Sequence, residues 1–507
     1  MEISERQAIE LGTLESTSGS GSGSSKTDVH VHVHIAAETR IIEPDQQQQN
    51  HVGSTEDHAN RQEFSLPPVD GGKNAWMFLA ACFVLEMCVW GFPFAFGVFQ
   101  DYYTFHAPFA GSRDIATIGT CAMGIMYLDT PLIMGLLKLY PRQGRWSPIP
   151  GLLIMCLGLA LSSFSTTVTH LIITQGILYG VGGSVAYSPC IVYIDEWFVR
   201  RKGLAYGIMW SGTGLAGVIF PLVLEYLLST YGFRTTLRLW SALVLVVTVP
   251  LAYYIKPRIP IPTSTSGAAS HNSVRARPFD LGFVLSRPFV LYQLANAVEA
   301  TGFFLPGIYL PQYARSTFGA GPFPSVLTIL LVNVAAVVGC ICMGVLIDRL
   351  HVTTCILVST VGATSGIFLL WGFSTTLPML YTFCIVYGLF AGSFTSTWPG
   401  IMRHIATPPS QLQTGNNNEV DRAAEEGSST YGSSVDPSMV FAFLALGRGV
   451  GNVASGPLSE ALVRAGSSWQ GRAGAGYGSG FGVLIAFTGV TALLGGGSFM
   501  WRKLGWL

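Results

Sequence analysis

The chain has 507 residues, half of them hydrophobic and only 11% charged, with 28 acids balancing 28 bases. A soluble domain carries roughly 25% charged residues, so this chain has too little polar surface to face water, and its balanced charge gives no reason to expect a nucleic-acid or acidic partner. No Gly-rich phosphate loop, nucleophile elbow, CxxC pair or metal cluster is present, so an enzyme, a resident cofactor and a metal site are not expected.

Residues 1–70 contain "STSGSGSGSS" and "QQQQN" and have no apolar periodicity, the composition of a disordered tail. The start "MEISERQAIELG" lacks the apolar core of a cleavable signal peptide. Within the tail His30, His32 and His34 alternate, and in such a segment they read as solvated side chains rather than metal ligands.

From Trp76 onward the chain offers apolar runs of about 20 residues, the length a helix needs to cross a bilayer. Twelve are expected, at about 76–100, 115–139, 148–166, 170–194, 203–228, 235–255, 289–313, 325–347, 352–372, 377–403, 438–462 and 478–500. Their length and continuity favour helices over an alternating β-barrel. The expected fold is an all-α integral membrane protein of twelve transmembrane helices in two six-helix pseudo-repeats, 71–255 and 288–507. A linker at 256–287 joins them, and a polar insertion lies at about 405–436. The nine cysteines all fall in apolar runs and are expected to be buried thiols.

Lys and Arg in short loops stay on the cytoplasmic side. With the N-terminus inside, seventeen cations fall in inner loops and ends, among them Lys138, Arg200, Arg201 and Lys202, against six outside, so both termini are expected in the cytoplasm. Glycines crowd two spans, Gly207, Gly212, Gly214 and Gly217 in the fifth, and Gly447, Gly449, Gly451 and Gly456 in the eleventh. Small residues let membrane helices approach closely, and their recurrence at the fifth helix of each half supports an internal repeat. "YGVGGSVAYSP" from Tyr179 and "YGLFAGSFTSTWP" from Tyr387 recur in the same way.

The segment "GVLIDRL", Gly344 to Leu350, resembles the inter-helix signature of the major facilitator superfamily, and its first-half counterpart "GLLKLYPRQGR" keeps Gly135, Arg142, Gly144 and Arg145 without the acid. Within that superfamily, "DGGKNAW" before the first span and "EWFVRRKGLAYGIMWSGTGLAG" from Glu196 resemble the monocarboxylate transporter branch and its fungal relatives. The resemblance covers Asp70 to the end. Phe94 stands where animal members of the branch have a lysine, Ala336 and Cys340 where they have an Asp and Arg pair, and Gly176 where many proton-coupled members have an arginine. The animal mechanism of lactate carriage is therefore not expected.

An ionisable side chain near the bilayer centre costs roughly 2.5 to 3.5 kcal/mol, so each one asks for a reason. Glu86, Asp129, Glu299 and Arg448 sit near mid-span. Desolvation favours a protonated carboxyl, which suits Glu86, Glu299 and Asp129 to proton coupling or to a neutral hydrogen bond with a neighbouring helix. Arg448 is a candidate to hold an organic anion, or to be neutralised by an acid such as Asp129. Tyr187, Tyr193, Trp398 and Asn452 are candidates for orienting a mostly apolar ligand, or for plain helix packing. By resemblance, Asp348 and Arg349 belong to the gating signature that favours the outward-open state. With these residues, the resemblance implies a proton-coupled secondary transporter of a small organic anion or an apolar secondary metabolite in the cell membrane, and the cations lost relative to the animal members favour efflux over import. A nutrient importer, a facilitated-diffusion carrier and a transporter-like sensor signalling through its tail are the alternatives. The expected partners are a small-molecule substrate and the lipid bilayer.

Overall fold

The computed structural model describes residues 66–112, 114–260, 281–407 and 435–507. Most of the predicted tail with its three histidines, most of the linker and most of the polar insertion lie outside the described residues. Helix is the only regular secondary structure among the described residues, with no strand among them.

Helix α1, Gly72–Phe94, holds Pro93 in its last turn and continues past Ala95 as α2, Phe96–Phe105. Helices α3, Ile115–Leu128, and α4, Thr130–Leu139, meet at Asp129 with a bend of 41°. After α5, Pro148–Ser162, a π-helical stretch at Ile172–Leu178 leads into α6, Tyr179–Trp197. Helix α7, Lys202–Ala252, is broken at Gly232, whose φ of 72° and ψ of 170° suit a residue without Cβ. The rest follows as α8, Arg287–Phe318, α9, Pro322–Arg349, α10, Val352–Ser365, and α11, Leu377–Phe390. The last four helices are α12, Trp398–Ala406, α13, Pro437–Gly466, α14, Gly482–Gly495, and α15, Ser498–Lys503.

Among the described residues eight helical segments are long and apolar enough to cross a membrane, or nine if the bent α3–α4 pair is one crossing. Two predicted spans, 203–228 and 235–255, lie in the two arms of α7 on either side of Gly232. The span predicted at 148–166 is a helix of 15 residues. The one at 289–313 falls in α8, which is 32 residues long but carries Gln293, Asn296, Glu299 and Gln312.

Apolar side chains point outward as well as inward. Leu153, Leu157 and Leu161 are exposed at four-residue spacing along α5, a stripe that hydrocarbon would wet. Inside, small residues bring backbones together. A Cβ on Gly203 would sit 2.5 Å from the Gly344 carbonyl, and one on Gly451 would sit 2.5 Å from the Ala300 Cβ, so α7 packs on α9 and α13 on α8 at contacts that only glycine permits. Gly456 departs from the packing expectation, with nothing within 4 Å, because it borders open space between the helices. Two cysteines also differ from the expectation of burial: Cys342 is exposed on α9, and Cys121 on α3 is half-buried where it packs against Gly176.

Candidate functional site

A cavity of about 1680 Å³ opens between the helices. Its walls are the C-terminal end of α1 with α2, the start of α3, the first arm of α7 from Pro221 to Gly232, the second half of α8 and the first half of α9. All these belong to the helix ends remote from the Arg200–Lys202 turn. The floor holds Glu86, Tyr187, Trp210, Trp398 and Arg448.

Glu86 is 3% exposed. Its Oε1 accepts a 2.7 Å hydrogen bond from Thr213 on α7, the Tyr187 hydroxyl faces the same carboxylate, and the buried Oε2 makes no close hydrogen bond among the described residues. Around it stand aromatic rings. The Trp210 indole donates to the Tyr187 hydroxyl at 2.9 Å, Trp90 packs against Tyr127 at 4.6 Å and edge-on to Tyr187 at 6.0 Å, and Trp210 meets Trp398 edge-on at 6.1 Å. The indole N–H groups of Trp90 and Trp398 and the Asn452 amide nitrogen are buried without partners among the described residues.

Arg448, 1% exposed, donates to Glu299 Oε2 at 2.8 Å and lies 4.3 Å from the centre of the Phe303 ring. Two residues expected to act separately are thus one buried ion pair between α8 and α13. Arg448's acid is Glu299 and not Asp129, because 149 residues of chain fold back to place α8 directly against α13. Asp129 sits instead at the α3–α4 break, away from the cavity lining, with both carboxylate oxygens buried and unpartnered among the described residues. Tyr193 is likewise off the cavity, six residues beyond Tyr187 toward the other end of α6, where Glu196 and Arg145 are its charged neighbours.

At the opposite end the helices are tied shut. Asp348 Oδ1 and Oδ2 accept from the backbone N–H groups of Gly203 and Leu204, at 2.7 and 2.9 Å, so a carboxylate from α9 caps the N-terminus of α7. The cation beside Asp348 is Arg403 at 3.6 Å, while Arg349 is exposed and makes no ion pair among the described residues. Asp70 takes the N–H groups of Val199, Arg200 and Arg201 at 2.9 to 3.0 Å. Lys138 pairs with Asp436 across the closed end. Burial alone would raise the Asp436 carboxyl, but the Lys138 charge and the hydrogen bonds from Lys138 and Ser438 outweigh it and hold the group below the ordinary carboxylate range. Sequence reading missed Asp70, Lys138, Asp436 and Arg403 as closing residues. The one signal was "DGGKNAW", which was legible as a resemblance but not as a cap.

A family model described as Major Facilitator Superfamily matches residues 144–415, more than half of the chain. The chain belongs to the Major Facilitator Superfamily. It is a membrane transporter acting on small molecules, and not an enzyme. Among its superfamily relatives, "MFS-type transporter 1" of Ophiocordyceps sp. is 28% identical over 66% of this chain and 73% of its own length. The "Aspyridones efflux protein apdF" of Emericella nidulans is 28% identical over 70% of both chains. "Monocarboxylate transporter 10" of Danio rerio is 25% identical over 68% of both. The expected likeness to fungal superfamily transporters and to the monocarboxylate branch holds.

Proposed function

We propose that this chain is a proton-coupled secondary transporter that exports a bulky amphipathic metabolite by alternating access. It crosses the cell membrane twelve times in two six-helix halves, with both termini in the cytoplasm. The two arms of α7 count as two crossings in this reading, the α3–α4 pair as one, and α5 and α8 as one each.

The observation that carries the reading is a cavity, about 1680 Å³, that is open at one end and tied shut at the other by Asp348, Asp70 and the Lys138–Asp436 pair. Cavities that enclose a drug-sized ligand run to roughly 300 to 1000 Å³, so a two- or three-carbon acid would rattle in this one. With the cation-rich Arg200–Lys202 turn in the cytoplasm, the open end faces outward. Of the two substrate classes expected, the metabolite is favoured over the small organic anion, because Arg448 already has Glu299 as its counter-ion. The efflux named for the Emericella nidulans relative agrees with export.

The test uses inside-out vesicles carrying the full chain. Acidifying the lumen should drive accumulation of the exported compound, identified by comparing metabolites retained in cells with and without the chain. Accumulation indifferent to the pH gradient, or seen only in right-side-out vesicles, overturns the coupling or the direction respectively.

A further inference from the structure

The cavity floor has an uneven charge inventory. Glu299 and Arg448 neutralise each other at 2.8 Å, which leaves Glu86 as the floor carboxylate with no cation near it among the described residues. An ionised carboxylate held away from water is costly unless something positive joins it. A proton can do so, and so can a cationic ligand. The surroundings suit the second. Trp90, Tyr127, Tyr187, Trp210, Trp398 and Phe441 all line the same cavity, with Trp210 and Phe441 stacked at 6.2 Å and Trp398 and Phe441 edge-on at 5.4 Å. Aromatic faces attract a cation within about 6 Å of the ring centroid, most strongly where water is excluded.

We propose that Glu86 and this aromatic ring form a site for an organic cation, so that the substrate is a bulky amphipath carrying a protonated amine or other onium group. The free Oε2 of Glu86 receives the charge, and the unpartnered N–H groups of Trp90, Trp398 and Asn452 receive carbonyl or ether oxygens elsewhere on the molecule. The inference rests on the transporter reading above and deepens it. One carboxylate cannot hold a proton and an onium group together. Glu86 therefore releases one proton as one positive charge enters and takes one up when it leaves, which makes the exchange an antiport.

The titratable groups facing Glu86 are Tyr187 from α6, Tyr127 from α3, Cys340 from α9 and Cys82 from its own helix, all uncharged at neutral pH. Glu299, the other carboxylate near this floor, is held by its counter-ion Arg448, so between pH 5 and pH 8 the proton that competes with the ligand is Glu86's own.

The test is binding to the purified full chain in detergent, read by tryptophan fluorescence and thermal shift, with tetraphenylphosphonium and tetraphenylborate as ions of like shape and opposite sign. The phosphonium should bind at least tenfold more tightly than the borate, and more weakly as pH falls from 8 to 5. Glu86→Gln should lose that preference and the pH dependence, while Glu86→Asp keeps the preference. Trp90→Leu should weaken the phosphonium several-fold, which keeps the test open if Glu86→Gln fails to fold. Equal binding of the two ions, preference for the borate, or an unchanged preference in folded Glu86→Gln overturns the cation site. Phosphonium binding with no flux of the exported metabolite above that of protein-free vesicles would instead overturn the transport reading and leave the site standing.

Discussion

Arg448 shows what a buried charge demands of its neighbours. At 1% exposure it keeps its charge through Glu299 and through the face of Phe303. Removing one partner of such a pair leaves an uncompensated charge and costs about 3 to 5 kcal/mol. Glu299→Gln should therefore lower the melting temperature sharply, and adding Arg448→Met should recover most of the loss. If the single variant melts like wild type, the pair contributes nothing. His351 gives a pH prediction at the same scale. Its Nδ1 accepts from the Thr353 backbone N–H at 3.2 Å, capping α10, and only the neutral ring can do this. Burial, with Arg502 and His404 nearby, lowers its pKa from 6.5 to about 4. The unfolded chain therefore takes up the proton first as pH falls. The cap's contribution is complete above about 6.5 and fades as pH approaches 4. His351→Asn keeps an acceptor that does not titrate, so its melting temperature should fall less than wild type between pH 7 and pH 5. Parallel curves would remove His351 from the account.

The informative contacts at the scale of elements are helix ends and helix crossings. The N-terminus of α7 meets two carboxylates that arrive from distant parts of the chain, Asp70 and Asp348. An anion at a helix N-terminus contributes about 0.3 to 2 kcal/mol. Asp348→Asn should loosen the closed end by an amount of that order, enough at the upper limit to change the balance of conformations roughly 30-fold. A cysteine placed at the half-buried Leu204, whose N–H Asp348 accepts, in a background that lacks the exposed Cys342, should label slowly and should label faster when Asp348→Asn is added; unchanged labelling argues against Asp348 as a latch. The crossing of α7 and α9 is tighter still. Gly207 lies against the Cys340 carbonyl with no room for a Cβ, so Gly207→Leu should prevent this closure and abolish flux while leaving surface expression measurable.

At the scale of the whole molecule, transport needs the closed end to open. Lys138 and Asp436 hold α4 to the start of α13 there. Asp436 has a proton affinity below that of the unfolded chain, so this contact is present at neutral pH and is lost only as pH falls below the ordinary carboxylate range. A double variant, Lys138→Cys with Asp436→Cys, should form a disulfide under oxidation. Flux should then stop while ligand binding from the open end persists, and reductant should restore it. Flux that continues through the oxidised protein would show that this end is not a gate.

The amino-acid sequence by itself determined which segments are apolar enough for hydrocarbon, where the cations gather and which ionisable residues sit at mid-span. These follow from local composition and period, and neither needs a partner to be read. Tertiary structure decided what those residues do. Glu299 and Arg448 were legible as two costly charges, but 149 residues separate them and no local pattern announces that they meet. Tyr187 and Tyr193 looked equivalent on one helix, yet six residues of rise, about 9 Å, put one at the cavity and the other beyond it. Asp70 lies in a recognisable motif, but its three backbone partners at Val199, Arg200 and Arg201 exist only once α1 and α6 are packed together. Burial in a membrane is written along the chain residue by residue, whereas the pairing of buried charges depends on which helices become neighbours.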